Sequence, residues 1–250
     1  MKEIVCVMAI HRRVKVIRET IRLLQKQTYP LKDILLVGDS EIERQLARET
    51  GCSYRQTWNR PLGNKWQSGI RFARSRNPDA VLINGSDSWL TVNWVERMGD
   101  YLDKGYDLVG KHVWYVCRLE GGKPIELIKR SYDERRRGIS IGAGRLISSS
   151  ILDRLRWKLY PRFITSSLDT RSHERMFGKG ARSIVVNSVE DANILDLKGP
   201  WECINNWETI KNVPILVRHP DIPDPRGWLG ENFPEAIESI QTLTPGMLLN

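Results

Sequence analysis

The sequence lacks the signals of several common protein classes. No stretch approaches the roughly 18 consecutive apolar residues that a membrane-spanning helix needs. The chain has four cysteines, which are Cys6, Cys52, Cys117 and Cys203. They lie far apart and form no C-x-x-C pair, so neither a zinc knuckle nor a disulfide framework is indicated. We therefore expect a reduced, cytoplasmic setting, and the short apolar run after the N-terminus predicts a strand rather than a signal peptide.

Several enzyme signatures are also absent. The chain has no G-x-x-x-x-G-K-[ST] phosphate loop and no G-x-S-x-G elbow. His173 and Glu174 are not followed by a second histidine at the spacing of a zincin helix. Gly142 and Gly144 lack the third glycine of a dinucleotide fingerprint, because position 147 is isoleucine. A P-loop nucleotidase and a dinucleotide-dependent enzyme are therefore poor candidates.

Positive charge is present in excess, with a formal net charge of +9. Such a charge suits a nucleic acid, an anionic membrane surface or a phosphorylated substrate. The basic residues are spread along the chain, apart from 12–13 and 135–137. A dedicated nucleic-acid binder more often concentrates its charge on one element with aromatic residues between. We expect no nucleic-acid partner, while contact with a membrane surface is compatible with the charge.

Apolar runs that suit buried strands alternate with amphipathic helices through the first half of the chain. Strands are predicted over residues 4–10, 33–38, 52–57 and 80–83. Helices are predicted over residues 14–24, 42–50, 66–77 and 95–102. Alternating strands and helices predict an α/β fold with a mostly parallel, mixed sheet flanked by helices in a single domain.

The second half is less regular. Strands are expected over residues 107–110, 113–118 and 183–189, and a helix over residues 151–159. The polar stretch 120–138 predicts an exposed excursion. Residues 212–231, with their prolines and glycines, predict an ordered but irregular arm. A last amphipathic helix is predicted around Phe233, Ile237 and Ile240, with Pro234 in its first turn.

Polar side chains follow the predicted strands. The polar cluster 84–88 follows the strand 80–83 at once, and a carboxylate there can hold a divalent cation. The alternative is that Asp87 only caps the next helix. The set of candidate ligand-binding residues is His11, Arg12, Asp39, Lys65, Ser86 and Asp87. Together they suit a nucleoside-diphosphate ligand better than another class, with Asp39 toward a base or ribose and basic groups toward phosphate.

Two segments carry a family resemblance. Residues 24–40, with Q-T-Y-P before a strand that ends in V-G-D-S, look like the opening of family 2 glycosyltransferases, in which the strand ends in V-D-D-G-S. Residues 79–98 are similar to that family's strand, D-x-D loop and following helix, and the likeness covers residues 4–102. The first aspartate of D-x-D falls at Gly85, which leaves Asp87. The first of the paired aspartates falls at Gly38, which leaves Asp39.

The resemblance implies a Rossmann-like glycosyltransferase A fold and inverting transfer from a nucleoside-diphosphate sugar, with UDP expected, to a carbohydrate or other hydroxyl acceptor. It implies Mn²⁺ or Mg²⁺ at Asp87 and a carboxylate base in the second half, for which Asp169 is the candidate. Its competitors are Glu174, Glu190 and Asp191. The implied division is a nucleotide-sugar-binding half (1–105), an acceptor-binding half (106–231), and a C-terminal helix and tail (232–250).

Two other functions stay open at this point. A sugar-phosphate nucleotidyltransferase also combines a parallel sheet with an acidic metal loop. That class has a glycine-rich loop after its first strand, whereas residues 10–15 contain no glycine. A basic nucleic-acid-binding protein is suggested by charge alone and predicts salt-sensitive affinity for any polyanion.

Overall fold

Two β-sheets carry the fold in the computed structural model, which describes residues 2–187, 191–199, 206–213 and 216–243. The larger sheet has seven strands within these residues. In spatial order they are β10 (Ser183–Val185), β6 (Leu108–Gly110), β9 (Arg145–Ser148), β4 (Ala80–Asn84), β1 (Ile4–Ala9), β2 (Asp33–Gly38) and β3 (Ser53–Gln56). Strand β9 runs antiparallel to both of its neighbours, and the other pairs are parallel. The sheet is therefore mixed and mostly parallel, as predicted.

The smaller sheet lies beyond the carboxyl end of β4. In spatial order its strands are β12 (Leu216–Asp221), β8 (Lys123–Tyr132), β7 (Val113–Glu120), β11 (Ile194–Lys198) and β5 (Ser88–Leu90). Strands β11 and β7 are parallel, while the other pairs are antiparallel. Because β5 follows β4 after a short loop, the two sheets meet at that loop.

Helices cover both faces of the larger sheet. In the described residues they are α1 (Val14–Gln25), α2 (Glu41–Glu49), α3 (Leu62–Ala73), α4 (Trp94–Asp103), α5 (Ser149–Arg154), α6 (Leu168–Phe177), α7 (Trp207–Lys211), α8 (Pro225–Asn232) and α9 (Pro234–Thr242). Strand β1 alternates between two cores, as a strand buried on both faces must. Cys6 and Met8 pack on the side of α1, α2 and α4, whereas Val5 and Val7 pack on the side of α3 and α5.

The first-half strands and helices confirm the predicted order of elements. The second half departs from it. Residues 120–138 are no exposed excursion, because β7 and β8 form a long hairpin in which Leu127, Ile128 and Arg130 are buried. Residues 212–231 hold β12 and α8 rather than an irregular arm. Strand β11 was not predicted at all. The last helix is confirmed as α9, with Pro234 in its first turn.

The chain's predicted division into halves stays a prediction. Strands β6, β9 and β10, from residues 106–231, complete the sheet that the first 105 residues begin. Among the described residues, no helix combines the length and the apolar character that crossing a bilayer requires. Cys6, Cys52 and Cys117 are free thiols, and Cys203 lies outside the described residues.

Helix α3 approaches the larger sheet through a glycine, which provides a test of the packing. A Cβ on Gly69 would lie 2.6 Å from Val7 Cγ1 and 2.7 Å from Val37 Cγ2. Gly69→Ala is expected to lower the free energy of unfolding by about 1–3 kcal/mol through overpacking. Gly99→Ala in α4 is the matched control, because its Cβ would meet no described atom within 4 Å.

Denaturant titration of both variants measures the difference. Gly99→Ala should raise stability by about 0.5–1 kcal/mol, because alanine loses less backbone entropy than glycine in a helix. Equal effects of the two substitutions would show that α3 does not approach the sheet this closely.

Candidate functional site

The loop between β4 and β5 is fixed in place by hydrogen bonds from two other segments and by one bond between its own ends. Thr20 Oγ1 of α1 donates to the Ser86 carbonyl at 3.1 Å, and the Leu197 amide of β11 donates to the Asp87 carbonyl at 2.9 Å. Asn84 Nδ2 closes the loop by donating to the Ser88 carbonyl at 2.8 Å. The predicted ligand loop is therefore a rigid turn, and its side chains have fixed directions.

Asp87 lies in an ion cluster. Its Oδ2 accepts from Arg13 Nη1 at 2.9 Å and from Lys198 Nζ at 3.1 Å. Lys198 Nζ also lies 2.9 Å from Asp196 Oδ2. We call these four residues, Arg13, Asp87, Asp196 and Lys198, the ion cluster.

Burial makes the charges of this cluster interact strongly. The Lys198 side chain is 3% exposed, and the other three are at most 16% exposed. Burial alone would raise the pKa of Asp87, but Lys198 and Arg13 outweigh it and hold that pKa below its usual range. Burial raises the pKa of Asp196, and the neighbouring Asp87 raises it further against the opposing effect of Lys198. Asp87 is thus the firmly ionised member of the two carboxylates.

Strand β11 supplies two members of the ion cluster because its side chains point alternately to opposite faces. Residues two apart in a strand point to the same face, so Asp196 and Lys198 lie side by side. Leu195 and Leu197 point the other way, into the core that β11 shares with α1, α8 and α9. Asp196 pairs in register with Ser88, which brings it to the end of the Asp87 loop.

The backbone at Arg13 adopts an unusual conformation, which directs its side chain to the ion cluster. Arg12 and Arg13 have φ of 53° and 47°, in the left-handed region that side chains rarely adopt. Such conformations cost on the order of 1 kcal/mol or more each and persist where surrounding contacts fix them. Here Arg13 bonds Asp87 and also donates to Ser86 Oγ at 2.6 Å. The turn after β1 is thus shaped to place one guanidinium on the β4–β5 loop.

Glu43 fixes the two neighbouring strand ends. Its Oε1 accepts the Arg12 amide at 2.8 Å, and its Oε2 accepts the Asp39 amide at 2.8 Å and the Ser40 amide at 3.2 Å. Ser40 and Glu43 also form a capping box at the start of α2. One buried carboxylate therefore serves as helix cap and as the link between the ends of β1 and β2.

His11 and Asp39 form a separate pair at these strand ends. His11 Nδ1 lies 3.3 Å from Asp39 Oδ1, and both side chains are partly exposed. With Glu43 they are the one group of three metal-type ligands found in the described residues. Glu43 is engaged by three backbone amides, so we assign no metal to this group.

Lys65 and Arg12 occupy different settings. Lys65 is 1% exposed, and its ammonium donates to the Ile10 carbonyl and to Asn59 Oδ1 at 2.8 Å. Burial lowers its pKa. Lys65 therefore links α3 to the end of β1, whereas the Arg12 side chain is exposed. Their predicted phosphate contacts stay predictions.

A cavity of about 480 Å³ opens between the two sheets, and residues of both line it. Gly85, Ser88 and Asp196 line one part, beside the ion cluster. Asp169 lines another part, together with Tyr132. Ser86 and Asp87 lie in the β4–β5 loop, between Gly85 and Ser88, which line the cavity. The structure therefore brings the predicted base and the predicted ligand loop to one cavity.

Asp169 lies in the first turn of α6 and is held by hydrogen bonds. Its Oδ2 accepts from the Tyr132 hydroxyl at 2.9 Å and from the Gly142 amide at 3.0 Å. A Cβ on Gly142 would lie 2.5 Å from Asp169 Oδ1, so only glycine permits this approach. Burial, and then the Asp169 charge, raise the pKa of Tyr132 far above its usual range, so Tyr132 stays a hydrogen-bond donor.

Buried Arg145 positions this part of the cavity. Its Nη1 donates to the Asp169 carbonyl at 3.1 Å and to Ser172 Oγ at 2.8 Å, which fixes the start of α6. Its Nε donates to Ser140 Oγ at 2.9 Å, in the loop before β9. Arg145 thus fixes the direction of Asp169 without lining the cavity itself.

The competing base candidates lie elsewhere. Glu174 is exposed and lies 3.2 Å from Arg171. Asp191 is exposed and bonded by Arg97 at 2.6 Å. Glu190 lies outside the described residues. Asp196, which lines the cavity, is the acidic residue that the sequence analysis did not consider.

The predicted divalent ion finds a poor donor set here. An ion shared by Asp87 and Asp196 would have to take the place of the Lys198 ammonium, which lies 3.1 Å from Asp87 Oδ2 and 2.9 Å from Asp196 Oδ2. Gly85 adds no ligand, and a Cβ there would lie 2.4 Å from Ser88 Oγ. The residues present do not fit a bound Mn²⁺ or Mg²⁺, and no chemical step below is routed through one.

Sequence reasoning missed five of the residues that build this site: Arg13, Glu43, Arg145, Asp196 and Lys198. The alternation over residues 195–198, apolar at 195 and 197 and charged at 196 and 198, was the sequence signal for β11 and its two cluster residues. No comparable pattern marks Arg145, because a single arginine between glycine and leucine predicts no burial.

The fold has the architecture of glycosyltransferases of the A type. Staphylococcus aureus TarS 1–349, solved with UDP-GlcNAc, matches with a TM-score of 0.58 at 13% identity, covering 80% of this chain and 60% of that one. The mannosyltransferase PcManGT from Pyrobaculum calidifontis, solved with GDP-Man and Mn²⁺, matches with a TM-score of 0.53 at 14% identity, covering 79% and 56%. The chain thus spans about 60% of the TarS segment it resembles.

The family follows from the sequence itself. The model of glycosyl transferase family 2 matches residues 5–152, which is more than half of the chain. The chain belongs to this family, and the fold and family predicted from the sequence are confirmed. No match was found among curated protein sequences.

Glu43 gives a test of how the strand ends are fixed. Glu43→Ala should lower the free energy of unfolding by about 2–4 kcal/mol, because three backbone amides lose their acceptor. Glu41→Ala is the matched control on the same helix, where the side chain is 65% exposed and its ion pairs contribute about 0.5 kcal/mol or less. Urea titration compares the two, and similar small losses in both would contradict the linking role of Glu43.

Proposed function

We propose that this protein transfers a sugar from a nucleoside-diphosphate sugar, with UDP as the nucleotide, to a hydroxyl of a carbohydrate or glycoconjugate acceptor. The observation that carries the proposal is the cavity between the sheets. It joins the ligand loop of β4 and β5 to Asp169 in a chain of glycosyl transferase family 2. The relatives solved with UDP-GlcNAc and with GDP-Man support a nucleotide sugar as the donor.

The contacts around Asp169 support the role of general base in an inverting transfer. Tyr132 and Gly142 both donate to Oδ2, which fixes the carboxylate in the cavity. The acceptor oxygen attacks the anomeric carbon and its proton passes to Asp169. The bond from that carbon to the diphosphate breaks, and its electron pair stays on the diphosphate oxygen. Such a step needs a base on the acceptor and positive charge near the leaving group.

The donor side of the proposal places Asp39 and His11 near the base or ribose, and Ser86, Arg12 and Lys65 near the donor phosphates. Asp39 and His11 are partly exposed at adjoining strand ends, which suits this placement. The cytoplasmic setting is part of the same proposal.

A thermal-shift panel tests the donor class. UDP, GDP, CMP and dTDP sugars are added with manganese and, separately, with EDTA. A UDP sugar at 100 times its dissociation constant should stabilise the fold by about 2.7 kcal/mol. The EDTA arm measures the metal dependence that the sequence predicts. A rise in melting temperature with DNA, and none with any nucleotide, would favour a nucleic-acid-binding protein. Release of pyrophosphate from a nucleoside triphosphate and a sugar phosphate, measured separately, would favour a nucleotidyltransferase.

Asp169→Asn tests the base. Asparagine keeps the size and an acceptor oxygen for Tyr132 but takes no proton at neutral pH. Donor affinity by calorimetry should stay, while sugar transfer should fall about 10²–10⁴-fold. Glu174→Gln, the same change on the same helix, should leave transfer unchanged because Glu174 is exposed. Unchanged transfer in Asp169→Asn, or loss of donor affinity together with transfer, would remove Asp169 from this role.

A further inference from the structure

We propose that Arg13 and Lys198 stabilise the diphosphate of the donor in place of a divalent cation, so that this glycosyltransferase binds and uses its donor without metal. The inference rests on the proposed function and specifies how the same site handles phosphate charge. It starts from the ion cluster, in which two cationic side chains contact the carboxylates that would otherwise hold a metal ion.

The charges of the cluster match those of a metal site. A divalent ion held by Asp87 and Asp196 would leave the group neutral. Arg13 and Lys198 bring the same two positive charges to the same two carboxylates. In both arrangements the positive charges lie in a partly buried site, where water and salt screen their attraction for an added anion less than on an exposed surface. The cluster therefore replaces the ion in charge and in position.

The cations are fixed before any ligand arrives. Arg13 is held by Asp87 and Ser86, and Lys198 by Asp87 and Asp196. Prepositioned cations in a partly buried site stabilise developing negative charge without reorganising during the reaction. Asp196 and Gly85 line the cavity. Asp196 contacts Lys198, and Gly85 precedes Ser86 and Asp87, which contact Arg13, so a diphosphate in that part of the cavity lies within reach of the charge of both cations.

A metal would have to displace this arrangement. Binding between Asp87 and Asp196 requires the ammonium of Lys198 to leave a side-chain position that is 3% exposed. Moving a buried ammonium away from two carboxylates is unfavourable, because it separates paired charges that are shielded from water. A hydrated divalent ion also keeps part of its water shell, for which a site filled by a lysine offers no space.

The first experiment measures UDP and GDP binding to the wild-type protein by calorimetry, in excess EDTA and in manganese. We expect the nucleotide that binds more tightly to show the same affinity, within about twofold, in EDTA and in manganese. Loss of one charged contact with the nucleotide would instead change the affinity by about tenfold or more. Binding that disappears in EDTA and returns with manganese overturns the inference and leaves the proposed function intact. Binding of neither nucleotide under either condition overturns the proposed function and this inference with it.

The second experiment removes one cation. Lys198→Met should weaken nucleotide binding in EDTA about 10- to 100-fold, because it removes one of the two positive charges beside the diphosphate. Lys111→Met is the matched control, because Lys111 is also a buried lysine, but its ammonium donates to the Ala192 carbonyl. The control should bind nucleotide as the wild type does.

A double variant distinguishes a loss of nucleotide binding from a loss of the fold. Lys198→Met with Asp196→Asn removes one charge of each sign and leaves the pair of Arg13 with Asp87, so the fold keeps a neutral cluster. Its far-ultraviolet circular dichroism should match the wild type, while its nucleotide affinity in EDTA stays reduced as in Lys198→Met. Wild-type affinity in EDTA in either variant overturns the role of Lys198.

Discussion

The shared ammonium of Lys198, between Asp87 and Asp196, is the interaction on which the arrangement of the site depends. Buried charges are tolerated only when paired and hydrogen-bonded, so two carboxylates this close need cations between them. Their pairing joins the β4–β5 loop to β11, and Arg13 joins the turn after β1 to the same point. Three segments distant in sequence are thereby fixed around one end of the cavity.

The other end of the cavity is fixed by neutral hydrogen bonds to Asp169. Tyr132 comes from the smaller sheet, and Gly142 from the loop before the β9 strand of the larger sheet. Gly144, in the same loop, has φ of 73° and lies against Trp94, whose indole donates to its carbonyl at 3.0 Å. The two glycines that fail as a dinucleotide fingerprint thus serve close packing around the cavity. Hydrogen bonds therefore fix Asp169 at one end of the cavity, whereas ion pairs fix the residues at the other end.

The sequence predicted the first half of the fold because its strands are continuous apolar runs separated by amphipathic helices. It predicted the Asp87 loop for the same reason, since strand-end polar groups of parallel strands meet at one edge. The hairpin of β7 and β8 was missed because β8 buries charged Arg130 among polar neighbours. Lys198 was missed because it is distant in sequence from Asp87, and only the pairing of β11 with β5 brings them together.

A crystal structure of the protein with UDP, grown in manganese and recorded at the manganese absorption edge, tests the central claim most directly. The account predicts Lys198 Nζ between the Asp87 and Asp196 carboxylates, the diphosphate beside the ion cluster, and no anomalous peak at the cluster. An anomalous peak coordinated by Asp87 and the diphosphate, with Lys198 displaced, would contradict it.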